Sequence, residues 1–539
     1  MKSLRRSASL LLPLILFGLS GPALAQRAEL DTTRVYELDS ITKTAERTSA
    51  IVARTTSAMS VLSPQSMHRL PSRSIADWLA TAPGLSFFSL DGLGYDPQPV
   101  VRGFYGGGEA EYVQLQIDGV PFGDGESGLV NWNMLPLHSL ASVEILRGGS
   151  SALFGDAALG AVINLVTDPD RRGGIVSVTA GTAVPFEAEL SYGGTVADRQ
   201  FHLFGDYGRI DGFRDNADRE IASLGGSLNL LSTDKSKINL STLHFLSDAA
   251  IPGPLFQDLA ESTPTETLAY FRFDRVNEGI HTLGVSGNHR VWDDGQLSFR
   301  TTGKIRTTDV VETVPLSADF ADTQQRDLTD INLSANIQLS TDLTFVPGTI
   351  TAGIDASSAW IDTDYSALLT GTLDDYSAAP PQPASTLAAE GSGSRQTAAA
   401  YIHYSIEPAS RLRITAGGRF DVLRDSFTPA GAESRNTTHT AFSPKVGANY
   451  RFVSHRNAVG NLYANVSRSF KAPTFDQLYD QRAIPVPFPP FQIALSSDVL
   501  EPQTGTSMEV GLYQRIQPIS SDIAAEISLA LYEINMKDE

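Results

Sequence analysis

The stretch Arg413-Ile414-Thr415-Ala416-Gly417-Gly418-Arg419-Phe420-Asp421 sorts its side chains by parity. Ile414, Ala416, Gly418 and Phe420 take one face, and Arg413, Thr415, Gly417, Arg419 and Asp421 take the other. Residues 445–452 repeat the pattern, with Val446, Ala448, Tyr450 and Phe452 opposite Lys445, Gly447, Asn449 and Arg451. Successive side chains of a strand point to opposite faces, so each segment sets an apolar face against a charged one. A strand between lipid and a wet interior requires that arrangement, although a soluble β-sandwich alternates too.

The connections decide between the two. From Gly174 onward helix signals vanish, and fifteen strand segments are read at 174–181, 186–195, 200–208, 222–231, 237–246, 279–291, 296–308, 328–339, 348–363, 396–408, 412–424, 440–452, 460–470, 506–517 and 522–535. Alternate links are short, at 196–199, 232–236, 292–295, 340–347, 409–411, 453–459 and 518–521. The intervening links are mostly long, among them 247–278, 364–395 and 471–505. Short turns on one rim and long loops on the other mark an outer-membrane barrel, whereas a sandwich has no reason to segregate loop length by parity.

Ahead of these strands, residues 51–168 read as a compact α/β domain. A helix over 74–82 ends at Pro83-Gly84, and short apolar strands follow at 113–117 and 143–146. At the N-terminus, Lys2, Arg5 and Arg6 precede an apolar run over 10–19 and then Ala23-Leu24-Ala25. That order is a secretory signal peptide over 1–25, too short in its apolar core to span a bilayer. After it, no run of 18 apolar residues occurs in the 539-residue chain, which excludes a helical membrane protein. The 41 Lys+Arg against 61 Asp+Glu argue against nucleic acid, because phosphate binding needs a basic surface. The absence of cysteine removes disulfides, thiolate metal sites and cysteine nucleophiles.

An ordered series of motifs then resembles the TonB-dependent outer-membrane receptors. It runs through Ile75-Ala76-Asp77-Trp78-Leu79, Pro83-Gly84-Leu85, Val101-Arg102-Gly103 and Gln116-Ile117-Asp118-Gly119-Val120-Pro121. It continues with Val143-Glu144-Ile145-Leu146-Arg147-Gly148, Ser151-Ala152-Leu153-Phe154-Gly155 and Gly160-Ala161-Val162-Ile163-Asn164-Leu165-Val166-Thr167. Farther on, Phe470-Lys471-Ala472-Pro473, Leu500-Glu501-Pro502 and Glu509-Val510-Gly511-Leu512 are similar to the family as well. The resemblance implies an N-terminal α/β plug domain (51–168) inside a transmembrane antiparallel β-barrel (169–539), in a family plan of about 22 strands. It implies a location in the bacterial outer membrane, among its lipids, and active import of a scarce metal chelate, an iron–siderophore complex first. Cobalamin is the nearest alternative, and a passive porin or adhesion barrel is the competing class.

Energy would come from the TonB protein, engaging an extended segment before the plug by strand addition. Within the linker over 26–50, that segment is expected at Asp39, Ser40, Ile41, Thr42, Lys43 and Thr44, with an ordinary flexible linker as the other reading. In the family, arginines matching Arg102 and Arg147 face wall glutamates, and Glu509 matches one of these. The three are expected to form a plug–barrel latch or a permanent structural ion pair. Ligand is expected at Tyr95, Phe104, Tyr105, Glu109, Phe122 and Trp132, unless these side chains serve only to pack plug against barrel. Nine histidines without ligand spacing predict no dedicated metal site. Neither a phosphate loop nor a serine nucleophile elbow is present, so no enzyme and no cofactor are expected.

Fifteen is an odd strand number, and an open sheet edge cannot face lipid. The expectation is therefore a fragment truncated at its C-terminus, unable to insert or transport as it stands.

Overall fold

A computed structural model describes residues 41–537 except 64–73, 89–96, 106–111, 183–184, 318, 345–346, 381–382, 456–457, 486–491, 495, 498 and 517–524. The expected signal peptide and Asp39, Ser40, Tyr95 and Glu109 lie outside the described residues.

The N-terminal part contributes β1 (Ile41–Thr42), β2 (Ala50–Ile51), β3 (Met59–Leu62), helix α1 (Ile75–Leu79), β4 (Leu85–Phe88), β5 (Gln98–Val101), β6 (Val113–Ile117), β7 (Val120–Pro121), β8 (Leu140–Arg147), α2 (Ser151–Phe154) and β9 (Ala161–Thr167). Helix α1 is shorter than the 74–82 expected. Ser74 starts it through a reciprocal capping box with Asp77. Five strands form one sheet in the order β3-β8-β9-β6-β7, with β6 and β9 parallel. Residues 161–165 of β9 are buried without alternation, as a central strand covered on both faces should be. Trp78, Leu79, Val143, Ile145 and Ile163 are fully buried in the core so formed.

The remainder is a single antiparallel sheet whose described strands number fifteen, as expected. They are β10 (Gly173–Thr179), β11 (Phe186–Val196), β12 (Arg199–Ile210), β13 (Arg219–Ser232), β14 (Ser236–Ala250), β15 (Arg275–Trp292), β16 (Gly295–Ser317), β17 (Phe320–Leu343), β18 (Gly348–Gly371), β19 (Thr386–Ala409), β20 (Leu412–Pro429), β21 (Arg435–His455), β22 (Ala458–Lys471), β25 (Gln503–Ile516) and β26 (Ala525–Lys537). A small hairpin, β23 (Ala483–Pro485) with β24 (Gln492–Ala494), sits in the long connection before β25. Strands β10 and β26 are the sheet's edges.

The parity read from residues 413–421 holds in space. Arg419 and Asp421 are buried toward the interior, while Phe420, Phe442 and Val446 stand 50%, 59% and 57% exposed on the outer face. Two sequence expectations need correction. The link over 309–327 is strand nearly throughout, because β16 and β17 pair up to Ser317↔Phe320. The link over 364–395 shrinks likewise, since β18 reaches Gly371 and β19 begins at Thr386. In both places alternation breaks because apolar residues fall on both faces, as at Val310-Val311 and Leu368-Leu369, and the register shifts at Pro315/Ser317 and Tyr365/Ser366, while backbone pairing continues. Helices also occur after Gly174: α3 (Gln257–Ser262), α4 (Leu373–Ala378) and α5 (Phe475–Tyr479). Capping boxes Thr372/Asp375 and Thr474/Gln477 start the last two.

The N-terminal domain fills the lumen asymmetrically. Trp132, Val130, Leu135 and Leu137 join one apolar cluster with Phe204, Ile221, Leu243, Phe245 and Ile280 of β12–β15. Toward β16–β22 and β25 ion pairs and hydrogen bonds predominate, beside a smaller apolar cluster in which Leu146, Leu153, Phe154, Ala158 and Val162 meet Tyr401 of β19.

Candidate functional site

Three regions of the lumen bear on function: the N-terminal segment, the polar boundary between domain and wall, and the surface at the long-loop rim. In the first, the Glu144 carboxylate accepts from the Thr42 hydroxyl at 2.6 Å, the Thr44 amide at 2.8 Å and the Lys43 amide at 3.1 Å. Asn164 donates to the Thr44 hydroxyl at 3.1 Å. Thr42 and Thr44 are buried and Lys43 is exposed, so these residues of the expected partner-binding segment are docked against the domain. Pairing of β1 with β2 accounts for the backbone at Ile41 and Thr42.

At the boundary, Arg102 donates to Glu509 at 2.5 Å, with 4% and 1% of the two side chains exposed. Glu509 also accepts from the Ala58 amide at 3.0 Å. Arg102 stacks over the Tyr532 ring at 4.4 Å, from a backbone held at φ +55°. Arg147 does not hydrogen-bond Glu509. It donates to the Ser60 hydroxyl at 2.9 Å, and its Nε and Nη2 are buried without a hydrogen-bond partner among the described residues. Burial, with Arg102 adding repulsion, lowers the Arg147 guanidinium to about 10.

Other ion pairs cross the same boundary and were not singled out from sequence. Arg47 pairs with Asp355 at 2.9 Å, Arg413 with Glu46 at 2.5 Å, Arg306 with Asp124 at 2.8 Å and Arg326 with Glu126 at 3.1 Å. The Arg47 guanidinium also lies over the Tyr401 ring at 4.3 Å. Between domain and wall lies a cavity of about 270 Å³. Gly119–Gly128 borders it on one side, and Arg300, Ser334, Ser357, Thr397 and Asp421 on the other. Ser334, Ser357 and Thr397 stand in one register row, so short side chains on three adjacent strands leave this space. Inward charges such as Arg419 and Asp421 were the available signal for this boundary, but the plug group that Arg419 meets, the Leu153 carbonyl, lies 266 residues away in the chain.

The third region is fixed at the long-loop rim by two contacts. The Tyr112 hydroxyl donates to Gln503, where β25 begins after the 472–502 connection. The Phe475 amide of α5, in that connection, donates to the Glu126 carbonyl at 2.8 Å. Of the aromatics expected to meet ligand, Tyr105 is exposed and packs edge-on against exposed Phe88. Phe104 is half-buried and stacks on Tyr112. Phe122 is buried beneath Lys304, and Trp132 is buried edge-on to Phe87.

Residues 206–539 match the family described as "TonB dependent receptor-like, beta-barrel", and residues 52–162 match "TonB-dependent Receptor Plug Domain". A vitamin B12 transporter BtuB from Vibrio vulnificus is 28% identical over 164 residues, 30% of this chain and 26% of that one. Its counterpart from Photobacterium profundum is 28% identical over 143 residues, 26% and 23% of the two chains. The matched stretches thus span about a quarter of these curated relatives. Among solved structures, the unliganded ferric citrate transporter FecA superimposes with TM-score 0.73 at 16% identity, covering 90% of this chain and 71% of that one. The siderophore receptor PiuA from Acinetobacter baumannii does so with TM-score 0.71 at 15% identity, covering 92% and 74%. At such identities the superpositions show the fold, a plug with a large antiparallel barrel sheet. The family is one of outer-membrane receptors rather than enzymes, and with its barrel match spanning more than half of the sequence, this chain belongs to the TonB-dependent receptors.

Proposed function

We propose that the receptor that carries this chain imports a metal chelate, a ferric siderophore, across the outer membrane, with energy delivered by a TonB partner that takes up residues 39–44. The observation that carries this reading is the asymmetry of the plug's contacts. One side rests on apolar side chains of β12–β15, and the other meets the wall chiefly through ion pairs and hydrogen bonds, beside a cavity bordered by Arg300, Ser334, Asp355 and Asp421. Water can replace polar contacts at little net cost, whereas exposing an apolar core costs about 25 cal/mol per Å². The polar side is therefore the one that can part and reseal. A passive pore or an adhesion barrel gains nothing from a lumen filled in this way.

Ligand meets the plug first at the exposed Phe88 and Tyr105 pair, an aromatic surface suited to an amphipathic chelate. Arg102 and Glu509 act as the latch between plug and wall, with Arg147 beside them. A second reading, cobalamin as cargo, is favoured by the likeness to the vitamin B12 transporters. Uptake of radiolabelled ferric siderophores and of labelled cyanocobalamin, in cells carrying the protein in their outer membrane, separates the two. Uptake of one ferric siderophore supports the first reading, and uptake of cyanocobalamin alone supports the second. Accumulation of neither by cells that display the protein contradicts both.

A further inference from the structure

The outer face of the barrel carries two histidines that the register brings together. His244 of β14 and His281 of β15 are direct cross-strand partners, with their Nδ1 atoms 3.1 Å apart. Both are exposed, on the face that also presents Leu224, Ile305, Ile331 and Trp360 in the same register row. An outward tryptophan marks the membrane–water interface in such barrels. Two residues farther along β16–β18, Asp362 joins the row, and Asp309, Asp327 and Asp364 follow in the next. The pair thus sits where apolar surface gives way to carboxylates and water.

The hydrogen bonds around the pair fix which nitrogen is available. The Thr242 hydroxyl donates to the Thr282 carbonyl at 2.8 Å, so its proton is committed. Its oxygen, 3.1 Å from His244 Nε2, then accepts from that nitrogen. Neutral His244 therefore carries its proton on Nε2 and presents the Nδ1 lone pair toward His281. Orientation of a ligating imidazole by a bond at its other nitrogen is the usual support of a metal site. Two nitrogens 3.1 Å apart, each about 2.0–2.1 Å from a metal, subtend roughly 100° there, close to the tetrahedral angle.

We propose that His244 and His281 form a binding site on the outer face of the barrel for a divalent first-row transition cation, Cu²⁺, Zn²⁺ or Ni²⁺. The ion replaces the proton shared between the two Nδ1 atoms, and that proton moves to His281 Nε2. No group of three or more His, Cys, Asp or Glu placed to hold a metal occurs among the described residues, so water completes the coordination. Imidazole selects these ions over Mg²⁺ and Ca²⁺, which prefer all-oxygen ligands. The carboxylate rows raise the local cation concentration without binding the ion themselves.

The test is electron paramagnetic resonance of Cu²⁺ added as the chloride to the full chain in detergent. The expected result is one Cu²⁺ per chain coupled to two nitrogens. His281→Gln should reduce the coupling to one nitrogen and weaken binding at least tenfold. Thr242→Val, which leaves both rings in place, should weaken it about tenfold. A two-nitrogen signal unchanged in His281→Gln overturns the proposal. Zn²⁺ protection of the wild-type histidines against acylation, read by peptide mass spectrometry, gives a test independent of variant folding. Protection confined to the His244 and His281 peptides supports the site, and its absence there overturns it.

Discussion

Arg102 and Glu509 form a buried ion pair across the boundary between plug and barrel wall, 2.5 Å apart, with neither side chain more than 4% exposed. Removing one partner of such a pair strands a charge away from water, at a cost of about 3–5 kcal/mol. Arg102→Ala or Glu509→Gln should therefore loosen the plug, seen as increased conductance of planar bilayers containing the protein. Arg102→Glu with Glu509→Arg should recover part of the seal. Equal conductance in wild type and both single variants would remove the pair from any latch role.

The same pair depends on Gly148, whose φ of +88° disfavours any side chain. A Cβ there would lie 2.6 Å from Arg102 Nη1 and 3.2 Å from Glu509 Oε2. Gly148→Ala should displace the guanidinium and reproduce the leak of Arg102→Ala, with about 1–3 kcal/mol of destabilisation. A sealed, equally stable Gly148→Ala protein would contradict this.

Glu144 holds residues 42–44 through three hydrogen bonds to an ionised acceptor, each of a kind worth about 1.5–3 kcal/mol. Glu144→Ala should release the segment, with amide exchange at Lys43 and Thr44 at least tenfold faster. A soluble C-terminal domain of the TonB partner should then bind more tightly to the variant than to wild type. Unchanged exchange at both amides would show that Glu144 does not tether them.

Burial pushes the Glu126 carboxyl up to about 7, with Asp124, Asp476 and Asp480 adding to it against the pull of Arg326. The unfolded chain releases this proton near 4.5, so between these values the folded state binds more protons. Stability should then fall as pH rises from about 4.5 to about 7, and the contribution should level off above, a total of about 3 kcal/mol. Thermal unfolding across that range should lose this slope in Glu126→Gln. A slope identical in the two proteins would rule out Glu126 as its source.

Much of the architecture was legible because lipid imposes a period of two. Arg419 and Phe420 declare opposite faces from sequence alone, and the structure buries one and exposes the other. Legibility failed where that constraint ends, at residues 309–327 and 364–395, since beyond the bilayer apolar residues can fall on both faces of a strand. The capping pairs Thr372/Asp375 and Thr474/Gln477 were readable signals for two loop helices. Contacts such as Arg47 with Asp355 were not, because register and plug docking create them across roughly 300 residues of chain. The aromatics Phe122 and Trp132 are expected as ligand contacts by residue type, and sequence does not reveal that they are buried, Phe122 beneath Lys304 and Trp132 edge-on to Phe87.

The central claim is that the plug's polar side must part from the wall for import. Because the chain has no cysteine, an engineered pair makes a single disulfide. A Cβ built at Gly149 on the plug lies 3.6 Å from the Ser467 Cβ on β22, within disulfide range apart from a small shift at the Ser469 hydroxyl. Uptake of the cognate labelled chelate by energised cells should be lost in oxidised Gly149→Cys/Ser467→Cys and return on reduction. Uptake at the wild-type rate with the disulfide formed would contradict the account.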